Sequence, residues 1–332
     1  MSDEHESPID AVVTWVDGND PIHRMKRQEA LSREKRGFAT SIPAGRSEIR
    51  FKNNGEIKYC LYALRRYAPW IRTIHLVTDG QCPDFLDEAR RRDLGVSLVD
   101  HREIFRGYEW ALPTFNSRTI ETALHRIPGL APRYLYLNDD IIVLRPITEE
   151  DFFNAGKVVL RGRWARLSRG GPSINAFHAL LNYALKTCGI LRTMSLQAQM
   201  EAARVCGFLK RYYRTAHAPH PIRRRTLESY FEEHPDVFER NIRFRFRSAE
   251  QFVATFLAHH LEIAKSTAHL ISDDECLMVC YHRDSQRKIA NAEQKLKAGT
   301  VSFLCLQSFE QAAPPQHLTM SMLLENRVFG QC

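Results

Sequence analysis

The chain has 332 residues, of which 44% are hydrophobic and 26% are charged. This balance, with only 16 glycines and 15 prolines, excludes disordered and fibrous classes and is typical of a globular protein with one large α/β domain or two smaller ones. The net charge of +8 is compatible with nucleic acid, anionic lipid or phosphorylated substrates as partners, and it does not choose among them.

The sequence pattern indicates neither a signal peptide nor a cysteine-based metal or disulfide site. The first ten residues are acidic and lack the basic and apolar regions of a signal peptide, and no run approaches about 18 apolar residues, so the sequence predicts a cytoplasmic protein. The eight cysteines contain no CxxC pair, which argues against a zinc ribbon or a disulfide framework. Cys276 and Cys280 are predicted to share one face of a helix.

The first half of the chain alternates apolar strand patterns with amphipathic helix patterns. Strands are predicted over 9–16, 74–79, 96–100 and 133–144, and helices over 21–35, 56–67, 83–92 and 116–127. This alternation predicts a mostly parallel α/β sheet over 9–165, with ligands bound beyond the carboxyl ends of its strands.

The second half is predicted to complete one catalytic unit that extends over 1–332. A helical insertion is expected over 166–214, with a mobile loop at 161–172, and the segment 215–320 is expected to complete the unit. The pattern from Ser248 to Gln251 predicts a capping box that opens a helix over 252–264, and a final strand is expected near 301.

Three polar residues, Asn138, Asp139 and Asp140, interrupt the apolar stretch YLYLNDDIIVL. Adjacent carboxylates in a buried setting repel each other and are costly to desolvate unless a cation compensates them. Hard oxygen ligands suit Mg²⁺ or Mn²⁺, which in turn would hold a diphosphate. The alternative is a strand-end turn with solvated aspartates.

The first predicted strand ends in the turn Asp17, Gly18, Asn19 and Asp20. These residue types are equally compatible with a plain turn and with a calcium-like loop, and they lack the repeated acidic spacing of an EF-hand.

Two histidines, His217 and His220, lie in the segment AHAPHP, where the prolines exclude a regular helix. A neutral imidazole accepts a hydroxyl proton, so either histidine is a candidate general base, although isolated histidines are more often structural.

Arginine alternates with phenylalanine in the segment IRFRFRS. As a strand, it would place Arg243, Arg245 and Arg247 on one face, which suits phosphate binding. An edge strand with a solvated basic face is the alternative.

Several long segments resemble the Stealth family. The stretches IDAVVTWVDGNDP, RFKNNGEIKYCLYALRRYAPWIRTIHLVTDGQCP and LPTFNSRTIETALHRIPGLAPRYLYLNDDIIVL are similar to its first two conserved regions. AHAPHP with FRFRS resembles the third region, and VSFLCLQSFE the fourth. The resemblance implies a glycosyltransferase-A-like, Rossmann-like core and transfer of a sugar 1-phosphate from a UDP-sugar to a saccharide hydroxyl, with release of UMP.

The resemblance also implies functional positions. Those matching the family's motifs are Asp17, Gly18, Asn19, Asp20, Arg50, Asn54, Glu56, Asn116, Ser117, Glu121, Asn138, Asp139, Asp140, His217, His220 and Arg247. Asp139 and Asp140 would hold Mg²⁺ or Mn²⁺, Arg247 would offset phosphate charge, and the remaining polar positions would bind substrate. The general base stays open among His217, His220 and Asp17. Gln307 and Ser308 differ from the fourth region's usual acidic or asparagine residues.

The expected partners are a UDP-sugar donor, a saccharide or growing polysaccharide acceptor, and peripheral contact with membrane-bound capsule machinery at the inner face of the membrane. No nucleic acid is expected. Two other functions remain open: a metal-dependent glycosyltransferase that releases UDP, and a basic protein that binds nucleic acid or anionic surfaces.

Overall fold

The computed structural model describes residues 7–33, 51, 54–168, 174, 177, 180–181 and 194–330. Its strands are β1 (Ile9–Thr14), β2 (Ile74–Thr78), β3 (Val96–Asp100), β4 (Arg133–Asn138), β5 (Ile141–Val143), β6 (Phe153–Asn154), β7 (Lys157–Arg166), β8 (Arg211–Thr215), β9 (His220–Arg223), β10 (Ala268–Ile271), β11 (Cys276–Cys280) and β12 (Phe303–Gln307). Its helices are α1 (Pro21–Arg33), α2 (Glu56–Tyr67), α3 (Glu88–Leu94), α4 (His101–Ile104), α5 (Ser117–Ala123), α6 (Met194–Val205), α7 (Arg224–Glu233), α8 (Pro235–Ile242), α9 (Ala254–Ala264), α10 (Gln286–Ala298) and α11 (Pro314–Phe329).

The central sheet has the strand order β3-β2-β1-β4-β9. Strands β1 to β4 are parallel, and β9 is antiparallel to β4 at the edge. The order places β1 between β2 and β4, so the chain crosses over on both sides of β1, as in Rossmann-like sheets. The predicted mostly parallel α/β core is therefore confirmed.

Both faces of the central sheet are buried, which explains its near-continuous apolar strands. Val13 and Leu135 face a layer that includes Leu61 of α2 and Leu304 of β12. Tyr136, on the opposite face, packs in a layer with α5 and α9. Because successive strand residues alternate between faces, each strand supplies side chains to both layers.

The predicted strand over 133–144 is wrong as a single element. Its first half is β4 in the central sheet, whereas its second half is β5 in another sheet of order β11-β12-β5. Asp139 and Asp140 form the turn between them, so this turn lies where two sheets meet.

A third sheet has the order β10-β7-β6, and β8 pairs with β7. The prediction of a mobile loop at 161–172 is wrong for residues 161–166, because they belong to strand β7. Residues 169–172 lie outside the described residues. In the predicted insertion over 166–214, the described residues include α6 and also β8.

Three local predictions are wrong because tertiary contacts override the sequence pattern. The helix predicted over 252–264 begins at Ala254, and Ser248 and Gln251 instead close a preceding turn in which Ser248 N donates to Gln251 Oε1 at 3.0 Å. Cys276 and Cys280 lie in strand β11. The segment IRFRFRS is the irregular connection after α8.

Asp10 ties the start of the central sheet to its neighbours. Its fully buried carboxylate accepts hydrogen bonds from Arg72 Nε at 2.9 Å and Nη2 at 2.6 Å, from Thr73 N at 3.2 Å and from Ala131 N at 2.8 Å, and it meets His75 Nε2 at 3.0 Å. Burial alone would raise the pKa of Asp10, but these partners outweigh burial and lower the pKa to about 2.

We expect Asp10→Asn to lower the free energy of unfolding near pH 7 by about 2 kcal/mol, since the native state then loses a well-compensated charge. The folded pKa lies below the unfolded one, so this stabilisation is complete above about pH 4 and is lost as pH falls through about 2. Urea unfolding between pH 7 and pH 2 measures it. The exposed Asp93→Asn is the matched control, and a difference between wild type and Asp10→Asn that stays constant with pH would contradict the assignment.

Candidate active site

The turn between β4 and β5 holds two carboxylates at the carboxyl edge of the central sheet. The backbone carbonyl of Asp140 accepts from Leu306 N at 2.9 Å, which fixes the turn against β12. Cys305 Sγ donates to Asp140 Oδ2 at 3.6 Å, whereas Asp140 Oδ1 is buried without a hydrogen-bond partner among the described residues. Burial raises the pKa of Asp140 to about 6 and that of Asp139 well above its usual range, and the charge of Asp140 raises the pKa of Asp139 further.

Two glutamates extend the negative charge around this turn. Glu56, at the start of α2, is buried and accepts from Asn54 N at 3.0 Å and from Asn54 Nδ2 at 3.3 Å. Asn54 Nδ2 also donates to Glu310 Oε2 at 3.2 Å, while Glu310 Oε1 is a second buried oxygen without a partner in the described part of the chain. Burial raises the pKa of Glu56, and Glu310 contributes in the same direction.

These residues fit a divalent cation. Carboxylates crowded together, with buried oxygens that lack donors, are stabilised by positive charge. Within the described ranges, no group of three or more His, Cys, Asp or Glu side chains is arranged to hold a metal ion. Mg²⁺ is usually held by one or two carboxylates and completed by substrate phosphates and water, which matches a two-aspartate turn.

A buried hydrogen-bond network lies next to the aspartate turn and is centred on Tyr136 of β4. Its hydroxyl donates to Asn138 Oδ1 at 2.7 Å and lies 3.2 Å from Thr14 Oγ1, so it joins the ends of β1 and β4. Glu121 of α5 faces the same network and accepts from Thr255 Oγ1 at 3.3 Å. Burial raises the pKa of Glu121 to about 7, although the nearby Arg247 and Arg118 oppose the shift.

Arg247 reaches this network because Phe246 is buried. The rings of Phe246 and Phe115 stack with centroids 5.4 Å apart and planes inclined by 18°, and Arg247 Nη2 donates to Ser117 Oγ at 2.7 Å. The predicted row of three arginines on one strand face is wrong. Arg243 pairs with Glu250 at 2.6 Å, and Arg245 points to the carbonyl of Leu112.

Asn116 holds this arginine-bearing segment in place. Its Oδ1 accepts from Arg118 N at 3.1 Å and caps α5, while its Nδ2 donates to Phe244 O at 3.0 Å and to Gln251 Oε1 at 2.8 Å. Asn116 is fully buried, and through these bonds it positions the backbone beside Arg247.

The two predicted histidines occupy different environments. His220, in β9, is buried against Tyr136, with ring centroids 6.4 Å apart, and against Phe256 at 5.6 Å. His217 is only partly buried, with Nε2 3.5 Å from Ser195 Oγ. Burial lowers the pKa of His220 to about 3 and that of His217 to about 4, so both imidazoles are neutral at pH 7.

The turn after β1 is held by its own side chains. Asp17 Oδ1 accepts from Asn19 N at 2.9 Å, and Asp20 Oδ1 accepts from His23 N at 2.7 Å at the start of α1. Gly18 N donates to Phe51 O at 2.7 Å, and a Cβ at Gly18 would overlap Phe51. Arg50 lies outside the described residues.

The sequence analysis assigned no role to several residues that shape the site. Gln81 holds the backbone of Asp17 through two hydrogen bonds of 2.9 Å. Its Oε1 accepts from Asp17 N, and its Nε2 donates to Asp17 O. Gln307, at the end of β12, lies close enough to Asp140 to lower its pKa, and Glu310 follows three residues later. The signal available for Gln307 was its position as the polar residue that ends an apolar strand.

We expect Asp140→Asn to stabilise the metal-free protein by about 1 kcal/mol at pH 7.5, because it removes a poorly solvated charge that Glu56 repels. The folded pKa is raised to about 6, so the cost of this charge is present above pH 6 and disappears as pH falls towards 4. Thermal unfolding in EDTA measures the gain, and Mn²⁺ should raise the Tm of the wild type much more than that of the variant. The exposed Asp84→Asn serves as control; a destabilised Asp140→Asn in EDTA would contradict the prediction.

The described helices include none that is both long and apolar enough to cross a bilayer.

Comparisons with known proteins find two family regions in this chain. Residues 7–35 match the family model described as Stealth protein CR1, conserved region 1, and residues 50–160 match Stealth protein CR2, conserved region 2. The second match includes α2, α5 and the Asp139–Asp140 turn.

Two curated relatives cover most of the chain. An exopolysaccharide phosphotransferase of Streptomyces coelicolor is 31% identical over 313 residues, which are 93% of this chain and 31% of that protein, so the chain spans about a third of that relative's length. The capsular polysaccharide phosphotransferase WcwK of Streptococcus pneumoniae is 30% identical over 258 residues, which are 72% of this chain and 74% of that protein.

Among solved structures, mouse xyloside xylosyltransferase 1 in its apo form gives a TM-score of 0.39 at 12% identity, over 90% of this chain and 97% of that one. This score is too low to add to the fold assignment, which rests on the strand order. The extent of the similarity to WcwK, together with the two matched conserved regions, establishes that this chain belongs to the Stealth family.

Proposed function

We propose that the protein transfers a sugar 1-phosphate from a UDP-sugar, a UDP-N-acetylhexosamine or UDP-hexose, to a saccharide hydroxyl. The reaction forms a phosphodiester and releases UMP, in the synthesis of a capsular or other cell-surface polysaccharide. The names of the relatives, exopolysaccharide and capsular polysaccharide phosphotransferases, support this proposal. The observation that carries it is the partly buried pair Asp139 and Asp140 at the carboxyl edge of a parallel sheet, next to a segment that presents Arg247.

The aspartate pair suits a diphosphate donor. Asp139 and Asp140 would hold Mg²⁺ or Mn²⁺, with Glu56 and Glu310 adding negative charge around the turn. When bound, the metal neutralises diphosphate charge and acts as a Lewis acid. Phosphoryl transfer depends mainly on in-line placement and charge cancellation, and the rigid turn would position the cation that supplies the positive charge.

Arg247 supplies the second positive group. Its guanidinium is held by Ser117 and lies near Glu121, on the Tyr136 side of the aspartate turn. A guanidinium binds phosphate oxygens through two parallel N–H bonds, so Arg247 is suited to the phosphate that is transferred.

His217 is the best supported proton acceptor of the three candidates. It is neutral at pH 7 and less enclosed than His220, whose ring is packed between Tyr136 and Phe256. The carboxylate of Asp17 is engaged in its own turn. In the proposed step the acceptor oxygen bonds to the β-phosphorus, its proton passes to His217, and the bond from that phosphorus to the UMP oxygen breaks.

The proposed setting is the inner face of the membrane, where the protein would work beside membrane-bound capsule machinery. The net charge of +8 supports contact with anionic surfaces or anionic polymers.

The released nucleotide tests the reaction class. Purified protein incubated with a panel of UDP-sugars, Mg²⁺ or Mn²⁺ and saccharide acceptors should yield UMP and a phosphodiester-linked product, separated by chromatography. Release of UDP with formation of a glycoside would replace the proposal by a conventional glycosyltransferase.

We expect His217→Asn to reduce kcat by about 100-fold or more, since general-base catalysis typically contributes that much. His269→Asn, an exposed histidine on β10, is the matched control and should leave kcat unchanged. Steady-state UMP release measures both variants. Near-normal turnover by His217→Asn, together with loss of turnover in His220→Asn at unchanged Tm, would move the proton acceptor to His220.

A further inference from the structure

The antiparallel ribbon of β7 and β8 ends in a basic surface. Its last register pair sets Arg166 opposite Arg211, and just beyond that pair Leu167 N donates to Lys210 O at 2.9 Å. Arg166, Lys210 and Arg211 are exposed, and none of them forms an ion pair with a carboxylate of the described residues. Like charges directly opposite each other destabilise paired strands. The ribbon therefore ends in a repulsion that an external anion would relieve.

The sequence of the ribbon has one sign of charge. The segments RGRWARLS over 161–168 and FLKRYYRT over 208–215 contain arginine and lysine but no aspartate or glutamate. Charge of one sign that is gathered in one place attracts an oppositely charged surface, and it does so more strongly than the same charge spread over the molecule.

Two large apolar side chains are exposed at the same end of the ribbon. Trp164 shares the face of Arg166 and Arg211, because strand side chains alternate, and it is 38% exposed. Its ring packs edge-on against Tyr213, with centroids 5.7 Å apart, so its exposed part has a fixed place. Leu209, two residues before Arg211, is 86% exposed, the largest value for a large apolar side chain among the described residues. The ribbon end thus combines positive charge with apolar surface.

We infer that this ribbon end, formed by Trp164, Arg166, Leu209, Lys210 and Arg211, docks on an anionic lipid bilayer. The inference deepens the proposed setting at the membrane and so rests on the proposed function. Cationic side chains attract anionic headgroups, tryptophan is favoured at the level of the headgroups, and an exposed leucine gains free energy by entering the acyl region.

The exposed leucine favours a bilayer over a saccharide as the occupant. An anionic saccharide would match the arginines and the ring of Trp164, but it offers Leu209 no apolar layer. A bilayer supplies both an anionic surface and an apolar interior, in the order in which the ribbon end presents its charges and its most exposed apolar side chain.

Sedimentation of the full chain with vesicles tests the charged part of the surface. Vesicles of phosphatidylcholine with phosphatidylglycerol should bind the wild type, and vesicles of phosphatidylcholine alone should bind it much more weakly. R166Q/R211Q should lower the affinity for the mixed vesicles by about tenfold or more, since each cation near an anionic surface contributes to binding. The matched control R163Q/R214Q removes a register pair further from the end and on the opposite face. It should lower the affinity by no more than about threefold, because salt screens charges that lie beyond about 8 Å from the headgroups.

The apolar part of the surface is tested in the same assay. Leu209→Ser should weaken binding to the mixed vesicles by about fivefold or more, because it removes the side chain that enters the acyl region. Leu318→Ser, a leucine of α11 that is 62% exposed, is the matched control and should leave binding unchanged. Circular dichroism checks that all variants are folded.

UMP release from a soluble saccharide acceptor separates docking from turnover, and R166Q/R211Q should leave it unchanged. Wild-type vesicle affinity in R166Q/R211Q or in Leu209→Ser overturns the inference, and so do equal losses in the two arginine variants, which would indicate general charge attraction. Loss of UMP release in R166Q/R211Q at unchanged vesicle affinity also overturns it, since the ribbon end would then bind the acceptor. Absence of UMP release by the wild type with every acceptor, alongside vesicle binding that requires the ribbon end, would refute the proposed reaction while the docking surface stands.

Discussion

The site depends on one constraint, the passage of the chain from β4 in the central sheet directly into β5 in a second sheet. Only Asp139 and Asp140 connect the two strands, and Leu306 N holds the backbone of the connection. The backbone of the turn is therefore fixed between the two sheets, with both carboxylates partly buried beside it. Burial raises the pKa of both aspartates, the charge of Asp140 raises that of Asp139 further, and Glu56 raises both, an electrostatic condition that a divalent cation relieves.

The rest of the site is arranged around this turn by buried contacts from distant parts of the chain. Tyr136 joins the ends of β1 and β4, and Asn116 with Phe246 fixes the connection after α8 so that Arg247 approaches Glu121. Tyr136 bonds side chains of β1 and β4, Phe246 stacks on Phe115, and Asn116 bonds the backbone at Phe244. A positive group and a carboxylate turn are thereby held in place by the fold itself, which is the preorganisation that the proposed phosphoryl transfer would use.

The sequence predicted the central sheet well because its strands are buried on both faces and separated by amphipathic helices. Strands β1, β2 and β3 and helix α2 lie within two residues of their predicted bounds. The sequence did not predict the break between β4 and β5, because the apolar pattern continues on both sides of it and the two strands differ only in the strands they pair with. The alternation of arginine and phenylalanine in IRFRFRS predicted a strand. It reflects instead the burial of Phe246 in an irregular segment that pairs with none of the described strands. Cys276 to Cys280 is a short apolar run, for which helix and strand patterns are ambiguous.

Within the site, the aspartate pair was visible in the sequence because charged residues inside an apolar stretch are unusual. Glu310 had no such signal, and Gln307 was noted only as a departure from the fourth region, since both come from beyond residue 300 and approach the turn through the β5–β12 pairing. The separate roles of Arg243, Arg245 and Arg247 likewise depend on partners that no local pattern specifies.

The most direct test of the central claim is a titration of Mn²⁺ into the protein by electron paramagnetic resonance, with and without UDP. If the aspartate turn holds the cation together with a diphosphate, UDP should tighten Mn²⁺ binding to the wild type, and the double variant Asp139→Asn/Asp140→Asn should lose both the binding and the effect of UDP. Equal Mn²⁺ affinity in the double variant, or binding indifferent to UDP, would contradict the account.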